Sequence, residues 1–111
     1  MKKFAIITNA YKDKNLVLTH KIIDYIVEKG GSAVALSEGY EGVNEYEHMD
    51  FSNMPENTEC IMVLGGDGTL IRSATKVMNY QIPLIGINIG TLGYLCELEA
   101  NDVFEAIDRL M

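Results

Sequence analysis

The chain has 111 residues, the size of one domain, and its composition of 48% hydrophobic and 23% charged residues is that of a globular protein. No apolar run approaches the ~20 residues that a membrane span needs. The net charge of −7 argues against nucleic-acid binding, which depends on a basic stripe. Cys60 and Cys96 lack the spacing of a metal or redox motif, so we expect two buried thiols in a reducing cytoplasm.

The first half of the chain alternates between strand and helix patterns. Residues 3–8 (KFAIIT) form a short apolar run that predicts a buried strand. Residues 13–29 predict a helix, and residues 32–37 (SAVALS) predict a second strand. The apolar residues of this helix recur at threes and fours, at Leu16, Thr19, Ile22, Ile23 and Ile26.

The negative charge is confined to the segment that follows. Residues 38–59 hold seven of the sixteen acids and no Lys or Arg, so the rest of the chain is neutral. We expect this acidic segment to be a long loop with a turn at Pro55. A loop of that length is usually mobile or functional.

Three further elements complete the pattern. Residues 60–64 (CIMVL) are apolar throughout and predict a central strand, and residues 81–88 (QIPLIGIN) predict another. The helix between them has a predicted buried stripe of Leu70, Ile71, Ala74, Val77 and Met78. A last helix opens at residues 101–102, with an apolar face of Val103, Phe104, Ile107 and Leu110. The alternation predicts an α/β domain with a mostly parallel sheet and right-handed crossovers.

Three glycines in four positions follow the central strand, in Gly65-Gly66-Asp67-Gly68-Thr69. This turn is not a P-loop, since no G-x-x-x-x-G-K-[ST] is present, and it is not the dinucleotide fingerprint, since Ile71 stands where the third glycine would be. The context is nevertheless that of an anion site, because glycines allow close approach to a helix N-terminus at the carboxyl edge of the sheet.

Two polar residues at this turn have both a structural and a functional interpretation. Asp67 is a good N-cap for the helix, which would be a purely structural role. Arg72 lies about one turn into the helix, where the macrodipole disfavours a cation. Arg72 is therefore either a solvated surface residue or the partner of a ligand phosphate.

The turn resembles a signature shared by NAD kinases, diacylglycerol- and sphingosine-type lipid kinases and, loosely, phosphofructokinases. A second segment, residues 83–99 (PLIGINIGTLGYLCELE), is similar to the NAD kinase pattern in which Asn-x-Gly-x-Leu-Gly-[Phe/Tyr]-Leu follows a strand. The Gly-Thr-Gly-Asn continuation of lipid kinases is absent. The resemblance covers the chain from its first strand to its end, with Tyr94 where phenylalanine is commoner.

The resemblance implies a role for each matching residue. Asp67 would accept the proton of the 2′-hydroxyl of the adenosine ribose of NAD, and Asp67 and Gly68 would contact NAD. Arg72 would reach the nucleotide phosphates. Tyr94 would lie against the adenine, and Asn88 would join the NAD site by shaping that loop with Gly90. The phosphate loop itself would be Gly65, Gly66, Gly68 and Thr69.

The resemblance also implies a phosphofructokinase-like, three-layer Rossmann-like domain. The phosphate donor would be ATP, together with a divalent metal such as Mg²⁺. No residue of the chain is expected to be a ligand of this metal. The partners would be NAD and ATP, with no nucleic acid or membrane, and the full-length protein would be a homo-oligomer. Acids beside a triphosphate would oppose transfer, so we expect residues 38–59 to point away from the glycine turn.

The β-rich second domain of NAD kinases, with its Asn-Glu or Asn-Asp motif, does not occur in these 111 residues. The resemblance therefore predicts an N-terminal domain that folds but has little or no kinase activity alone. Two other functions stay open at this point: a lipid kinase catalytic domain, and a nucleotide-binding module without catalysis.

Overall fold

A computed structural model describes residues 1–9, 12–36, 54–89 and 98–111, and the backbone alone of residues 37 and 48–50. The strands are β1 (Lys3–Thr8), β2 (Ser32–Ser37), β3 (His48–Asp50), β4 (Cys60–Gly65), β5 (Leu84–Asn88) and β6 (Leu98–Glu99). The helices are α1 (Val17–Glu28), α2 (Asp67–Val77) and α3 (Val103–Leu110). Short 3₁₀ segments precede α1, follow α2 and precede α3. No helix among these residues has both the length and the apolar character to cross a bilayer.

The six strands form one sheet in the order β3-β2-β1-β4-β5-β6, and each of these neighbouring pairs is parallel. This order places β1 and β4 side by side, with the chain leaving them toward opposite edges of the sheet. Such a position is a topological switch point, and open α/β sheets bind their ligands outside the strand ends there.

Helices cover both faces of the sheet, so the predicted three-layer α/β architecture is confirmed. Ile22 and Ile26 of α1 and Val103 and Ile107 of α3 pack on one face, and Val77 of α2 packs on the other. The direction of each crossover determines which face of the sheet its helix covers. Right-handed crossovers that run in opposite directions along a sheet place their helices on opposite faces. Every residue of β4 is buried, as expected for a central strand covered on both faces.

The first helix begins later than its pattern predicts. Asn15 and Leu16 have positive φ values of 58° and 55°, so the regular helix starts at Val17 rather than at Asp13. The predicted buried positions are nonetheless confirmed, with Leu16, Thr19, Ile22 and Ile26 all at 2% exposure or less. The periodicity survives the break because these side chains still face the same sheet.

The predicted stripe of α2 is partly wrong. Ile71 and Met78 are 55% and 66% exposed, whereas Thr69, Ser73 and Val77 are buried. The reason is local: Thr69 packs against Gly65 at the start of the helix, so the positions four and eight residues later face the sheet. The stripe of α3 is confirmed, since Val103 and Ile107 are buried and Phe104 and Leu110 pack against them.

The acidic segment is not a loop throughout, because it contains β3. Asp50 of β3 pairs with Ser37 of β2 in parallel register. β3 stands at one end of the strand order and is therefore an edge strand. The turn at Pro55 is confirmed, since Thr58 N–H donates to Pro55 O over 3.3 Å. Residues 38–47 and 51–53 lie outside the described part of the chain, as does Cys96, while Cys60 is a fully buried thiol.

Candidate active site

The glycine turn joins the central strand to α2 at the switch point. β4 ends at Gly65, Gly66 is the N-cap, and Asp67 is the first residue of the helix. Leu70 N–H donates to Gly66 O over 3.0 Å, which is the first bond of the helical ladder. The interpretation of Asp67 as the N-cap is therefore wrong. Asp67 lies one residue further on, partly exposed at the positive end of the helix dipole.

Gly65 is required by a close approach rather than by an unusual backbone angle. A Cβ atom added to Gly65 would lie 2.6 Å from Thr69 Oγ1 and 2.7 Å from Thr69 Cβ. Thr69 is 2% exposed, and its hydroxyl accepts a hydrogen bond from Asn9 Nδ2 over 3.3 Å. Thr69 therefore connects the first turn of α2 to the end of β1, and its side chain is buried beneath the turn.

Arg72 folds back over the turn that precedes it. A Cβ atom added to the exposed Gly68 would lie 3.1 Å from Arg72 Nη1, and Arg72 Nη2 lies 3.5 Å from Thr69 Oγ1. Long side chains of a helix point toward its N-terminus, which explains this direction. The guanidinium of the exposed Arg72 thus lies beside Gly68 and Thr69, as an arginine that serves a ligand at this turn would.

The end of β1 contributes two residues that the motif analysis missed. Asn9 N–H donates to Leu64 O over 2.8 Å, which continues the β1–β4 pairing to the edge of the sheet. Lys12 follows, and its Nζ lies 2.8 Å from where a Cβ atom of Gly66 would be. No local pattern marks Lys12, because its proximity to Gly66 depends on β1 and β4 being neighbours.

Asn88 ends the strand on the other side of β4. Asn88 pairs with Gly65, and Ile89 N–H donates to Gly65 O over 2.9 Å, so the two predicted segments meet at one edge. Asn88 is 5% exposed and its Nδ2 lies 3.4 Å from Glu99 Oε2. Its Oδ1 is buried, and within the described ranges no group forms a hydrogen bond with it. Gly90 and Tyr94, the other residues assigned to this loop, lie outside the described residues.

A cleft of about 370 Å³ opens at this edge, between the end of β1 and the start of the last helix. Its lining is mostly polar in character and includes the residues already placed at the two strand ends. The lining residues are Lys12, Asp13, Leu18, Asn88, Ile89, Glu99, Ala100 and Asn101.

The described end of the acidic segment lies at the opposite edge of the sheet. Glu59 precedes β4, and its Oε1 accepts the N–H groups of Lys2 and Lys3 over 2.9 and 3.2 Å. The hydrogen bond from Lys2 is the main cause of a lowered pKa for Glu59, and the N–H of Lys3 and the N-terminal charge act in the same direction. Residues 54–59 thus lie away from the glycine turn, as predicted for residues 38–59, whereas Asp50 ends β3 at the same edge as the turn and residues 38–47 and 51–53 lie outside the described residues.

The residues at the turn fit a metal that arrives with its ligand. Within the described ranges, no three His, Cys, Asp or Glu side chains converge to hold an ion. Mg²⁺ is commonly held by one or two carboxylates together with substrate phosphates and water. Asp67 offers such a carboxylate at the turn, so the phosphates of a nucleotide would have to supply the other ligands.

Comparison with known proteins gives a consistent result. The family model described as the ATP-NAD kinase N-terminal domain matches residues 4–111. The NAD kinase of Agathobacter rectalis is 54% identical over 100% of this chain and 39% of its own length. The NAD kinase of Lachnoclostridium phytofermentans is 40% identical over 99% of the chain and 38% of its own length.

A more distant relative gives the same coverage. The NAD kinase of Pyrococcus abyssi is 34% identical over 98% of this chain and 39% of its own length. The chain thus spans less than two fifths of the length of these curated relatives. The match along nearly all of its residues shows that the chain belongs to the ATP-NAD kinase family, in the part that the family model describes as the N-terminal domain.

Proposed function

We propose that this chain supplies the acceptor-activating part of an NAD kinase, which transfers the γ-phosphate of ATP to the 2′-hydroxyl of the adenosine ribose of NAD. The observation that carries this proposal is the placement of Asp67 at the α2 N-terminus, at the switch point of the sheet, with the Arg72 guanidinium folded over the same turn. Family membership supports the choice of NAD as acceptor.

Asp67 is the proposed proton acceptor. As the 2′-oxygen forms its bond to the γ-phosphorus, the bond from that phosphorus to the β–γ bridging oxygen breaks, and the hydroxyl proton passes to the Asp67 carboxylate. The products are NADP and ADP. General-base catalysis of this kind contributes about 10²–10⁴-fold, or roughly 3–5 kcal/mol of transition-state stabilisation. Asp67 is only partly buried, so its carboxylate can reach a bound ribose.

The other residues of the turn have positioning roles in this proposal. Gly68 and the first N–H groups of α2 offer backbone contacts, because helix N-termini bind anions. Arg72 binds a nucleotide phosphate. Thr69 is buried under the turn and holds the helix in place through its contacts with Gly65 and Asn9. Asn88, Gly90 and Tyr94 complete the adenosine side. The divalent metal, held chiefly by phosphate oxygens, supplies charge neutralisation during transfer.

The test needs a kinase of full length, because these 111 residues correspond to only 39% of the Agathobacter rectalis relative. A suitable protein is a chimeric kinase in which residues 1–111 replace the corresponding part of the Agathobacter rectalis NAD kinase, which is 54% identical to them. In this chimeric kinase, Asp67→Asn keeps the size and hydrogen-bonding capacity of the side chain and removes its basicity. We expect NADP formation to fall at least 100-fold with the melting temperature unchanged. Asp24→Asn, on the exposed side of α1, is the matched control.

Two outcomes would contradict the proposal. Retained turnover in the Asp67→Asn kinase would remove Asp67 as the base. Phosphorylation of a soluble diacylglycerol in place of NAD would favour the lipid kinase alternative. We also propose that residues 1–111 expressed alone fold without forming NADP, since the described site presents one edge of one sheet and no opposing surface. Robust NADP formation by the 111-residue chain would overturn this part.

A further inference from the structure

Lys12 occupies a position that neither glycine segment assigns. It follows β1 on one side of the switch point, while the glycine turn follows β4 on the other. Its Nζ lies so close to Gly66 that a Cβ atom there would be at 2.8 Å. A long and exposed lysine side chain has many conformations available, yet this one places the ammonium directly over the backbone of the turn.

The carboxylates near Lys12 are engaged by other donors. Asp13 Oδ1 accepts the N–H of Leu18 over 3.0 Å, and Asp13 Oδ2 accepts the N–H and the hydroxyl of Thr19 over 2.9 and 2.8 Å. Glu99 Oε2 lies 3.4 Å from Asn88 Nδ2. Both acids line the same cleft as Lys12, but the ammonium lies over Gly66. Attraction to Asp13 or Glu99 therefore does not explain its position.

The charges at the turn need an anion. The N-terminus of α2 carries the positive end of the helix dipole, and the Lys12 ammonium and the Arg72 guanidinium both lie over its first residues. Asp67 is the acid within this stretch of the turn. Two side-chain cations thus lie over the backbone of one helix N-terminus, in a chain whose overall net charge is −7. Such a grouping is stabilised when a polyanion binds between the cations.

The cleft beside Lys12 contains a second sign of a ligand. Asn88 is 5% exposed and lines this cleft, and its buried Oδ1 has no hydrogen-bond partner among the residues that the structure describes. An amide oxygen of this kind costs free energy until a donor reaches it. A nucleotide could interact with both groups. Its phosphate oxygens would accept hydrogen bonds from the Lys12 ammonium, and its ribose hydroxyl or amino groups would donate to the Asn88 amide oxygen.

We propose that Lys12 is a phosphate-binding residue of the NAD kinase site, holding phosphate oxygens of a nucleotide substrate over Gly66 beside Asp67. This inference rests on the proposed function and adds a residue to it. Lys12 stays protonated throughout; it donates hydrogen bonds and takes no part in the proton transfer to Asp67. The phosphate could belong to the triphosphate of ATP or to the diphosphate of NAD, which have the same oxyanion chemistry.

The first experiment measures phosphate binding without turnover. In the chimeric kinase carrying Asp67→Asn, calorimetry follows the binding of inorganic tripolyphosphate. Adding Lys12→Met, which keeps the length of the side chain and removes its charge, should weaken affinity about 10- to 100-fold, the range expected for a hydrogen bond to a charged group. Lys12→Arg should retain most of the affinity. Lys21→Met, an exposed lysine of α1, is the control and should change nothing.

The second experiment identifies the phosphate. With Asp67 intact, Lys12→Met should raise the KM for ATP if the ammonium holds the donor, or the KM for NAD if it holds the acceptor diphosphate. Gly66→Ala provides an independent variant, because its φ of −128° accepts alanine and the added Cβ would displace only the flexible end of Lys12. We expect it to shift the same KM in the same direction with the charge of the chain unchanged.

Several results would overturn the proposal. If Lys12→Met leaves tripolyphosphate affinity and both KM values within twofold of the parent, Lys12 does not bind phosphate. A loss of affinity shared equally by Lys21→Met would indicate a general charge effect and would also overturn it. Because tripolyphosphate binding is measured without turnover, a failed base role for Asp67 leaves the Lys12 result intact. Should Lys12→Met not fold, the Lys12→Gln kinase, with a neutral polar side chain at this exposed position, decides the question by the same KM criterion.

Discussion

At the scale of single residues, Asp13 shows how one buried carboxylate fixes the entry to a helix. Asp13 is 7% exposed and accepts the N–H groups of Leu18 and Thr19, the second and third residues of α1. It also accepts the hydroxyl of Thr19, whose oxygen lies 2.6 Å from Thr8 Oγ1. An N-cap normally makes such bonds from the adjacent position. Here the left-handed Asn15 and Leu16 bring the carboxylate back from farther away.

We therefore expect Asp13→Ala to destabilise the domain by about 2–3 kcal/mol, because it removes a helix cap and leaves the buried Thr19 hydroxyl with one partner fewer. Asp13→Asn should cost less, since one acceptor oxygen remains. Urea denaturation of each variant measures the free energy of unfolding. Asp24→Ala on the exposed side of α1 should change it by less than about 0.5 kcal/mol. A cost for Asp13→Ala as small as that of the control would show that the cap is dispensable.

At the scale of elements, the junction of β4 and α2 fixes the position of the glycine turn. Thr69 packs on Gly65, Asn9 of the β1 end bonds to Thr69, and Ile89 after β5 bonds to Gly65. The helix is thereby held against three strand ends at once. This interlock fixes the backbone of the first turn of α2, from which Asp67 and Arg72 project.

Gly65→Ala should destabilise the domain by about 1–3 kcal/mol, because the added Cβ overlaps the buried Thr69 side chain and neither neighbour can move freely. Gly66→Ala is the matched comparison one residue later and should cost less, since there the overlap is with the flexible end of Lys12. Thermal unfolding of both variants measures the difference. Equal melting temperatures for the two would contradict the interlock as described.

At the scale of the whole molecule, the two edges of the sheet, where its strands begin and end, carry different sets of charged residues. The carboxyl edge carries the glycine turn with Lys12 and Arg72, and the amino edge carries Glu59 with its bonds from Lys2 and Lys3. Lys3 also contacts the backbone carbonyl of Glu56. Glu56 and Glu59 thus lie at the amino edge, away from the glycine turn, whereas Asp50 ends β3 at the carboxyl edge.

The lowered pKa of Glu59 predicts a pH dependence of stability. The ionised carboxylate of Glu59 accepts hydrogen bonds in the folded state that it lacks in the unfolded state. Its contribution to the free energy of unfolding is therefore complete above the ordinary pKa of 4.5 and is lost as the pH falls below 4.5 and through the lowered pKa of the folded state. The melting temperature of Glu59→Gln should therefore lie below that of the parent at pH 7 and approach it near pH 3. Glu56→Gln is the control, since the carbonyl that Lys3 contacts is kept. A constant difference for Glu59→Gln across this range would exclude the effect.

Much of the fold was predictable because hydrophobic periodicity depends on burial alone. The runs at residues 3–8, 32–37 and 60–65 are strands within one residue of their predicted ends, and the faces of α1 and α3 follow their spacing. Ile71 of α2 and Met78, just after it, were mispredicted because the contact of Thr69 with Gly65 of β4 sets the rotation of the helix. β3 was missed because an edge strand of three residues within an acidic segment has no apolar run.

The sequence by itself determined the class of the fold, the family and the two segments that form the site, because glycine spacing and apolar runs are local properties. Tertiary structure alone decided that Asp67 follows the cap, that Asn88 lies beside Gly65, and that Lys12 lies over Gly66. These relations depend on the strand order, which brings residues about 55 positions apart in the chain to one switch point. No local pattern encodes that order, since it results from how the whole sheet assembles.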